Sequence, residues 1–234
     1  GLEVAEYYQE QAYQALNGVS KKDIKKLIET YKKEGREQEI QTTVEAMKAR
    51  INTGIPKTLA YCQGELMEDY IHDMKIIQRF AMLNRKAMMD ELIRGTKLKV
   101  EEEFTTIHNY IDTEAMILRK GAVSAKKGER LLIPVNMRDG SLICVGKGNE
   151  EWNFSAPHGA GRLMSRRKAK ESYTVSQFKK EMAGIFTTSV NALTLDECPM
   201  AYKRMEDIVE NIGDTVEIEK VLRPVYNFKA GEKA

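Results

Sequence analysis

The chain has 234 residues, 42% hydrophobic and 31% charged, with a formal net charge of +2. That balance excludes a disordered or fibrous chain and leaves room for one large domain or two small ones around a substantial core. It also gives no sign of a polycationic nucleic-acid binder, and no apolar run approaches the ~20 residues that span a bilayer.

The first third reads as helical. Leu2, Ala5, Tyr8, Ala12 and Leu16 recur at three- and four-residue spacing until Asn17-Gly18 ends the run. A second helix is predicted from Ser20, with Asp23 three residues on as a variant capping box, the stripe Ile24, Leu27, Ile28 and Tyr31, and Gly35 as its stop. A third carries Ile40, Val44, Met47 and Ile51, and Thr53-Gly54-Ile55-Pro56 breaks it. A long helix is expected from Glu65 to Arg94, with Tyr70, Met74, Ile77, Ala81, Met88 and Leu92 on one face. Met67, Met74, Met82, Met88 and Met89 are read as core filler, and His72 as a structural or surface residue.

After Gly95 the pattern changes. "LKVEEEFTTIH", "AMILRKGAV", "RLLIPV" and "SLICVG" read as short strands. Helical signals return over Arg162–Ser172, after Thr174 with Gln177 three residues on, and over Met200–Ile212. "DTVEIEKVLRPVYNFK" alternates like one or two terminal strands. Strands and helices do not alternate regularly, so the predicted class is α+β. The three cysteines, Cys62, Cys144 and Cys198, lie far apart with no CxxC spacing, which predicts reduced thiols and a cytoplasmic setting. No N-terminal stretch reads as a signal peptide. The chain opens on "GLEVAEYYQEQAYQAL" without an initiator Met, as a segment of something longer would.

Three stretches could carry chemistry. In "PHGAGR", Gly159 and Gly161 let backbone N–H groups approach an anion. The expected helix behind them would add its positive dipole end, with Arg162 and Arg166 on one face to fork onto phosphate. An imidazole there, His158, could be nucleophile, general base or metal ligand, or simply a surface residue on a turn. His108 and Asn109 close the run "TTIHNYID", where His108 could bind a metal and Asn109 a ligand, although no His or Cys partner lies at ligand spacing. Arg119 and Lys120, and the polar loop Asn136–Ser141, could touch a nucleotide or be solvated turns.

Taken together, "HNYI", "RKGA", "LLIPVNMRDGS", "PHGAGRLMSR", "PMAYK" and "LRPVYNFK" occur in an order and spacing that resembles the RtcB family of RNA ligases. The likeness covers nearly all of residues 65–230 and is weaker before that. It implies an RtcB-like mixed fold, with N-terminal helices followed by a β-rich core with interspersed helices. It also implies a GTP- and Mn²⁺-dependent enzyme joining RNA 3′-phosphate or 2′,3′-cyclic phosphate ends to 5′-hydroxyl ends. By motif, His158 corresponds to the nucleophile that becomes guanylylated, and His108 to a manganese ligand. Asn109, Ser141, Ala160, Gly161, Tyr202 and Lys229 correspond to nucleotide contacts, and Lys120, Arg162 and Arg166 to phosphate contacts on GTP or RNA.

Two departures qualify the match. The loop before Ser141 reads "VNMRDGS" where the family has Gly-Ser-Met-Gly, which resembles a divergent branch associated with a peptide-release-factor homologue. The family's other manganese ligands, a Cys, an Asp and two His, precede the matched region. The resemblance therefore implies the C-terminal part of one ligase domain, with a helical subregion over 1–95 and a β-rich catalytic subregion over 96–234, and with little activity alone. The alternatives are a nucleotide- or RNA-binding homologue without catalysis, and a guanylyltransferase that caps phosphate ends.

Overall fold

The structure is a computed structural model describing residues 1–18, 21–51 and 53–229. The chain divides into two compact units, Gly1–Lys99 and Val100–Ala234.

The first unit is helical: α1 (Leu2–Asn17), α2 (Lys21–Lys33), α3 (Ile40–Ile51) and α4 (Glu65–Thr96). The proposed cap Ser20 lies outside the described residues. Tyr8, Ala12 and Leu16 are buried at the predicted spacing. The Tyr8 hydroxyl donates to Asp73 Oδ2 at 2.8 Å and its ring lies 5.1 Å from that of Tyr70, which ties α1 to α4. The reading of the α4 methionines as core filler fails for Met82, Met88 and Met89, which are exposed. At 32 residues α4 is twice as long as the 16-residue α1, so much of it extends past that partner.

The second unit is β-rich: β1 (His108–Asp112), β2 (Ile117–Ser124), β3 (Arg130–Asn136), β4 (Gly140–Gly146), β5 (Ser155–Pro157), α5 (Arg166–Ser172), α6 (Val175–Glu181), β6 (Phe186–Thr187), α7 (Met205–Val209), β7 (Val216–Leu222) and β8 (Tyr226–Asn227). Two antiparallel three-stranded sheets run β1-β2-β5 and β3-β4-β7, and β6 pairs β8 in parallel. The architecture is the α+β class the sequence predicted. A core of Val123, Leu131, Ile133, Leu142, Cys144 and Val216 joins the two larger sheets, while Phe178, Met182, Leu195 and Cys198 pack under α5 and α6. The three cysteines are free thiols. No helix among the described residues is long and apolar enough to cross a membrane.

Several expectations need correction. The strand predicted over 98–108 begins only at His108. Three consecutive exposed glutamates precede it, and the segment is held by side chains instead. Leu132 N–H donates to Thr106 Oγ1 at 3.0 Å, and Arg130 pairs with Glu102 and lies over the Phe104 ring. The helix expected from Arg162 starts at Arg166, capped by the Ser165 hydroxyl, so Arg162 and Arg166 do not share a helical face. The last helix shortens to α7 behind a 3-10 turn at Pro199–Ala201. Thr174 and Gln177 form the predicted capping box.

The fixed point of the first sheet is Arg119, 2% exposed. Its guanidinium donates to Asp112 Oδ2 and Tyr110 Oη, both at 3.2 Å, to Ser155 Oγ at 3.0 Å and to the Asn153 carbonyl at 3.4 Å. Burial pushes the Asp112 carboxyl up. Hydrogen bonds from Ala115 N–H, Lys126, Arg119 and Glu114 N–H outweigh it and hold the group at about 2 against an ordinary 3.8. The stability this supplies is present above the ordinary value and lost as pH falls through the folded one. In urea denaturation followed against pH, Asp112→Asn is expected to flatten the loss of stability between pH ~4 and ~2. At neutral pH, Arg119→Met is expected to cost about 3–5 kcal/mol by leaving a buried carboxylate without its guanidinium.

Candidate functional site

The second unit holds a cavity of about 680 Å³. His158 follows β5 directly, and its N–H donates to the Gly121 carbonyl of β2 at 3.3 Å. The loop is then strung across the unit. Ala160 N–H donates to the Pro134 carbonyl at 3.2 Å, Lys203 N–H to the Gly161 carbonyl at 3.2 Å, and Leu163 N–H to the Ala201 carbonyl at 2.8 Å. Gly159 passes so close to β3 that a Cβ would lie 3.0 Å from the Pro134 carbonyl oxygen. Gly161 takes a left-handed φ of +72° in open space.

His108 comes to the same cavity from the other edge of β2. Asn109 has φ +52° and breaks the β1–β2 register between His108 and Tyr110, a bulge that re-aims the histidine. The two imidazole rings lie 5.3 Å apart, with planes 33° apart. Burial first, and then the neighbouring His158, pull the His108 imidazole below its ordinary 6.5, which keeps it neutral near neutral pH.

On the facing wall, charges converge on Glu197. Its Oε1 accepts from Arg162 at 2.7 Å and from Arg166 at 2.6 Å; its Oε2 accepts from the Tyr202 hydroxyl at 2.8 Å, with Lys229 at 3.5 Å. Arg162 also donates to the Asp196 carbonyl at 2.7 Å and lies over the Tyr202 ring. Burial pushes the Glu197 carboxyl up, but the Tyr202 hydrogen bond and the cations Lys229, Arg162 and Arg166 outweigh it and hold the group below its ordinary range. Arg162, Arg223 and Lys229 line the cavity against one carboxylate, so its potential favours anions.

His108, Ser141, His158, Ala160, Gly161, Arg162, Tyr202 and Lys229 all line this cavity. Three other residues given a role by the family resemblance do not. Asn109 turns its side chain onto Gly121 N–H at 2.6 Å. Lys120 lines a separate cavity. Arg166 pairs with Asp196 and Glu197 beyond the lining. Sequence reasoning missed Glu197. The signal was the acidic pair Asp196-Glu197 just before "PMAYK", facing a basic run that needs counter-charge. Among the described residues no three His, Cys, Asp or Glu side chains converge as metal donors, so they do not by themselves build a manganese site.

An imidazole pair beside a cation-lined cavity on an α+β frame makes a site suited to anionic ligands. The chain belongs to the RtcB family: the model for "tRNA-splicing ligase RtcB" matches residues 5–230. It is 35% identical over 221 residues to the RNA-splicing ligase RtcB of Escherichia coli K12, an alignment covering 86% of this chain and 52% of that protein. It is 40% identical over 181 residues to the tRNA-splicing ligase RtcB of Archaeoglobus fulgidus, covering 61% and 37%. With the Aeropyrum pernix tRNA-splicing ligase RtcB it shares 31% over 199 residues, covering 68% and 41%. The chain spans about half the length of the curated relatives it matches.

The glycines of this region separate two causes. Gly161→Ala meets no atom and is expected to cost about 1–2 kcal/mol through its left-handed φ alone. Gly140, at φ +90° where β3 turns into β4, would place a Cβ 1.9 Å from the Leu222 carbonyl oxygen. Gly140→Ala is therefore expected to cost clearly more than Gly161→Ala in urea denaturation, because the β4–β7 backbone must move.

Proposed function

We propose that this chain carries the nucleotide-transfer site of an RNA ligase that joins a 3′-phosphate or 2′,3′-cyclic phosphate end to a 5′-hydroxyl end, with GTP as co-substrate. The observation that supports it best is the meeting of His158, Arg162, Tyr202 and Lys229 in one cavity with a single carboxylate. His158 acts as nucleophile. An unprotonated ring nitrogen attacks the α-phosphorus of GTP, an N–P bond forms, the bond to the β-phosphate oxygen breaks and pyrophosphate leaves. An oxygen of the RNA 3′-phosphate then displaces the histidine from phosphorus, and the 5′-hydroxyl attacks the activated phosphate with GMP as leaving group. Arg162 and Lys229 neutralise the phosphate oxygens, and Ser141, Ala160, Gly161 and Tyr202 bound the nucleotide.

His108 would give one donor to a manganese ion whose other donors lie outside the described residues. Asn109 aims His108 through its Oδ1 bond to Gly121 N–H and stands beside the nucleotide. Arg166 acts on the far side of Glu197 and Lys120 along the RNA. A release-factor homologue as functional partner rests on the "VNMRDGS" loop alone.

A second reading, nucleotide or RNA binding without covalent transfer, draws support from the incomplete donor set. Incubation with [α-³²P]GTP and Mn²⁺, using a longer protein that also supplies the remaining metal donors, separates the two. Transfer predicts an acid-labile protein label that His158→Ala and His158→Asn abolish. Label surviving in both variants overturns the nucleophile, and GMP binding without any label favours the second reading.

A further inference from the structure

The second unit has another cavity, of about 380 Å³, lined along β5 by residues up to Pro157. Pro157 lines this cavity and His158, the next residue, lines the first. Its walls include Leu118, Lys120, Trp152, Asn153 and Asn211. Trp152 is the single tryptophan of the chain, and it is 58% exposed. Leu118 beside it is 73% exposed, and Lys120 is exposed too. Among the described residues no acidic side chain lines this cavity.

The corner that presents the indole is strained. Asn153 and Phe154, just after Trp152, both take left-handed φ, of +48° and +51°. For a residue as bulky as Phe this is a costly conformation. It is held from beneath: Arg119 and the Ser155 hydroxyl both donate to the Asn153 carbonyl, and Phe154 accepts from Ala125 N–H at 2.7 Å. Two non-glycine residues held left-handed follow an exposed indole, in a cavity it shares with Lys120 and with Pro157, the neighbour of the proposed nucleophile.

We propose that this cavity is a subsite for the RNA strand: one base stacks on the Trp152 indole and the adjoining phosphate meets Lys120, while the strand's terminal phosphate lies at His158. Aromatic stacking plus a cation tracking the backbone is the general chemistry of single-strand binding. Pro157 on one cavity and His158 on the other place the two at neighbouring positions of the chain. The inference rests on the RNA-end reading above, and its test separates the two.

The 234-residue chain is titrated with a short oligoribonucleotide ending in a 3′-phosphate. Anisotropy of a fluorescent 5′-label reports total binding, and tryptophan emission reports this cavity alone. Emission is expected to fall along the same saturation curve. Trp152→Ala should weaken RNA binding about 5- to 150-fold, the range for loss of one stacked base. Trp152→Phe should keep most of the affinity, and thermal melting of both variants reports that the fold is intact. RNA binding with unchanged emission, or a Trp152→Ala variant that binds as before, overturns the subsite and leaves the ligase reading standing. Quenching by GMP alone as strong as by RNA overturns the strand assignment in favour of a free nucleotide. Absence of RNA binding removes the subsite together with the RNA-end reading, while GTP labelling of His158 still judges the nucleophile independently.

Discussion

The geometry of the candidate site depends on one buried guanidinium. Arg119 lies in β2, the middle strand of the first sheet, and its side chain reaches Asp112 at the end of β1 and Ser155 at the start of β5. These flanking strands carry the two histidines, His108 at the head of β1 and His158 just past β5. A buried ion pair is weak evidence for net stability, because desolvation offsets much of the attraction. Here its structural consequence is specific. The grip of one side chain on both neighbours fixes how the outer strands sit on β2, and with it the 5.3 Å between the two rings.

The facing wall follows a different rule. Arg162, Arg166 and Lys229 would repel one another if they met without a counter-charge, and Glu197 supplies it together with the Tyr202 hydroxyl. The carboxylate therefore orders the cations within the folded unit. Tyr202 packs against both hydrophobic clusters of the unit, so this polar network is anchored in the core and not in mobile surface chains. An electrostatic site built this way needs little reorganisation when charge develops on a bound phosphate.

Much of this was legible in the sequence because it follows local rules. The helical stripe of Tyr8, Ala12 and Leu16, the Thr174–Gln177 capping box and the strands over 117–124, 130–136 and 140–146 are set by residues close in sequence. The loop glycines and His158 could be singled out by composition, and their order with the other motifs pointed to the family. What was not legible depends on distant partners. Arg119 read as a nucleotide contact or part of a solvated turn, yet it is buried, because its partners are 7 to 36 residues away. Glu197 went unread because its value comes from Arg162 and Lys229, 35 and 32 residues off. The strand expected through Glu101–Glu103 failed because like charges and side-chain anchoring replaced a main-chain ladder.

Backbone strain in the second unit has a location that matches this division of labour. Its left-handed non-glycine residues among the described positions are Asn109, Met116, Asn153 and Phe154. All four lie in or beside the sheet β1-β2-β5, which carries both histidines. In the β3-β4-β7 sheet the turn that requires positive φ is met by Gly140. The same sheet also holds a left-handed glycine, Gly121 in β2, so the β1-β2-β5 sheet combines one glycine with four positions that keep their side chains. At Asn109 the side chain hydrogen-bonds Gly121 while the bulge turns His108 into the cavity. At Asn153 and Phe154 the corner sets the path of β5 towards His158 and the pose of Trp152 above it. Each such residue costs of order 1–3 kcal/mol, and the Arg119 network and the two packed sheets are what hold the backbone in that arrangement.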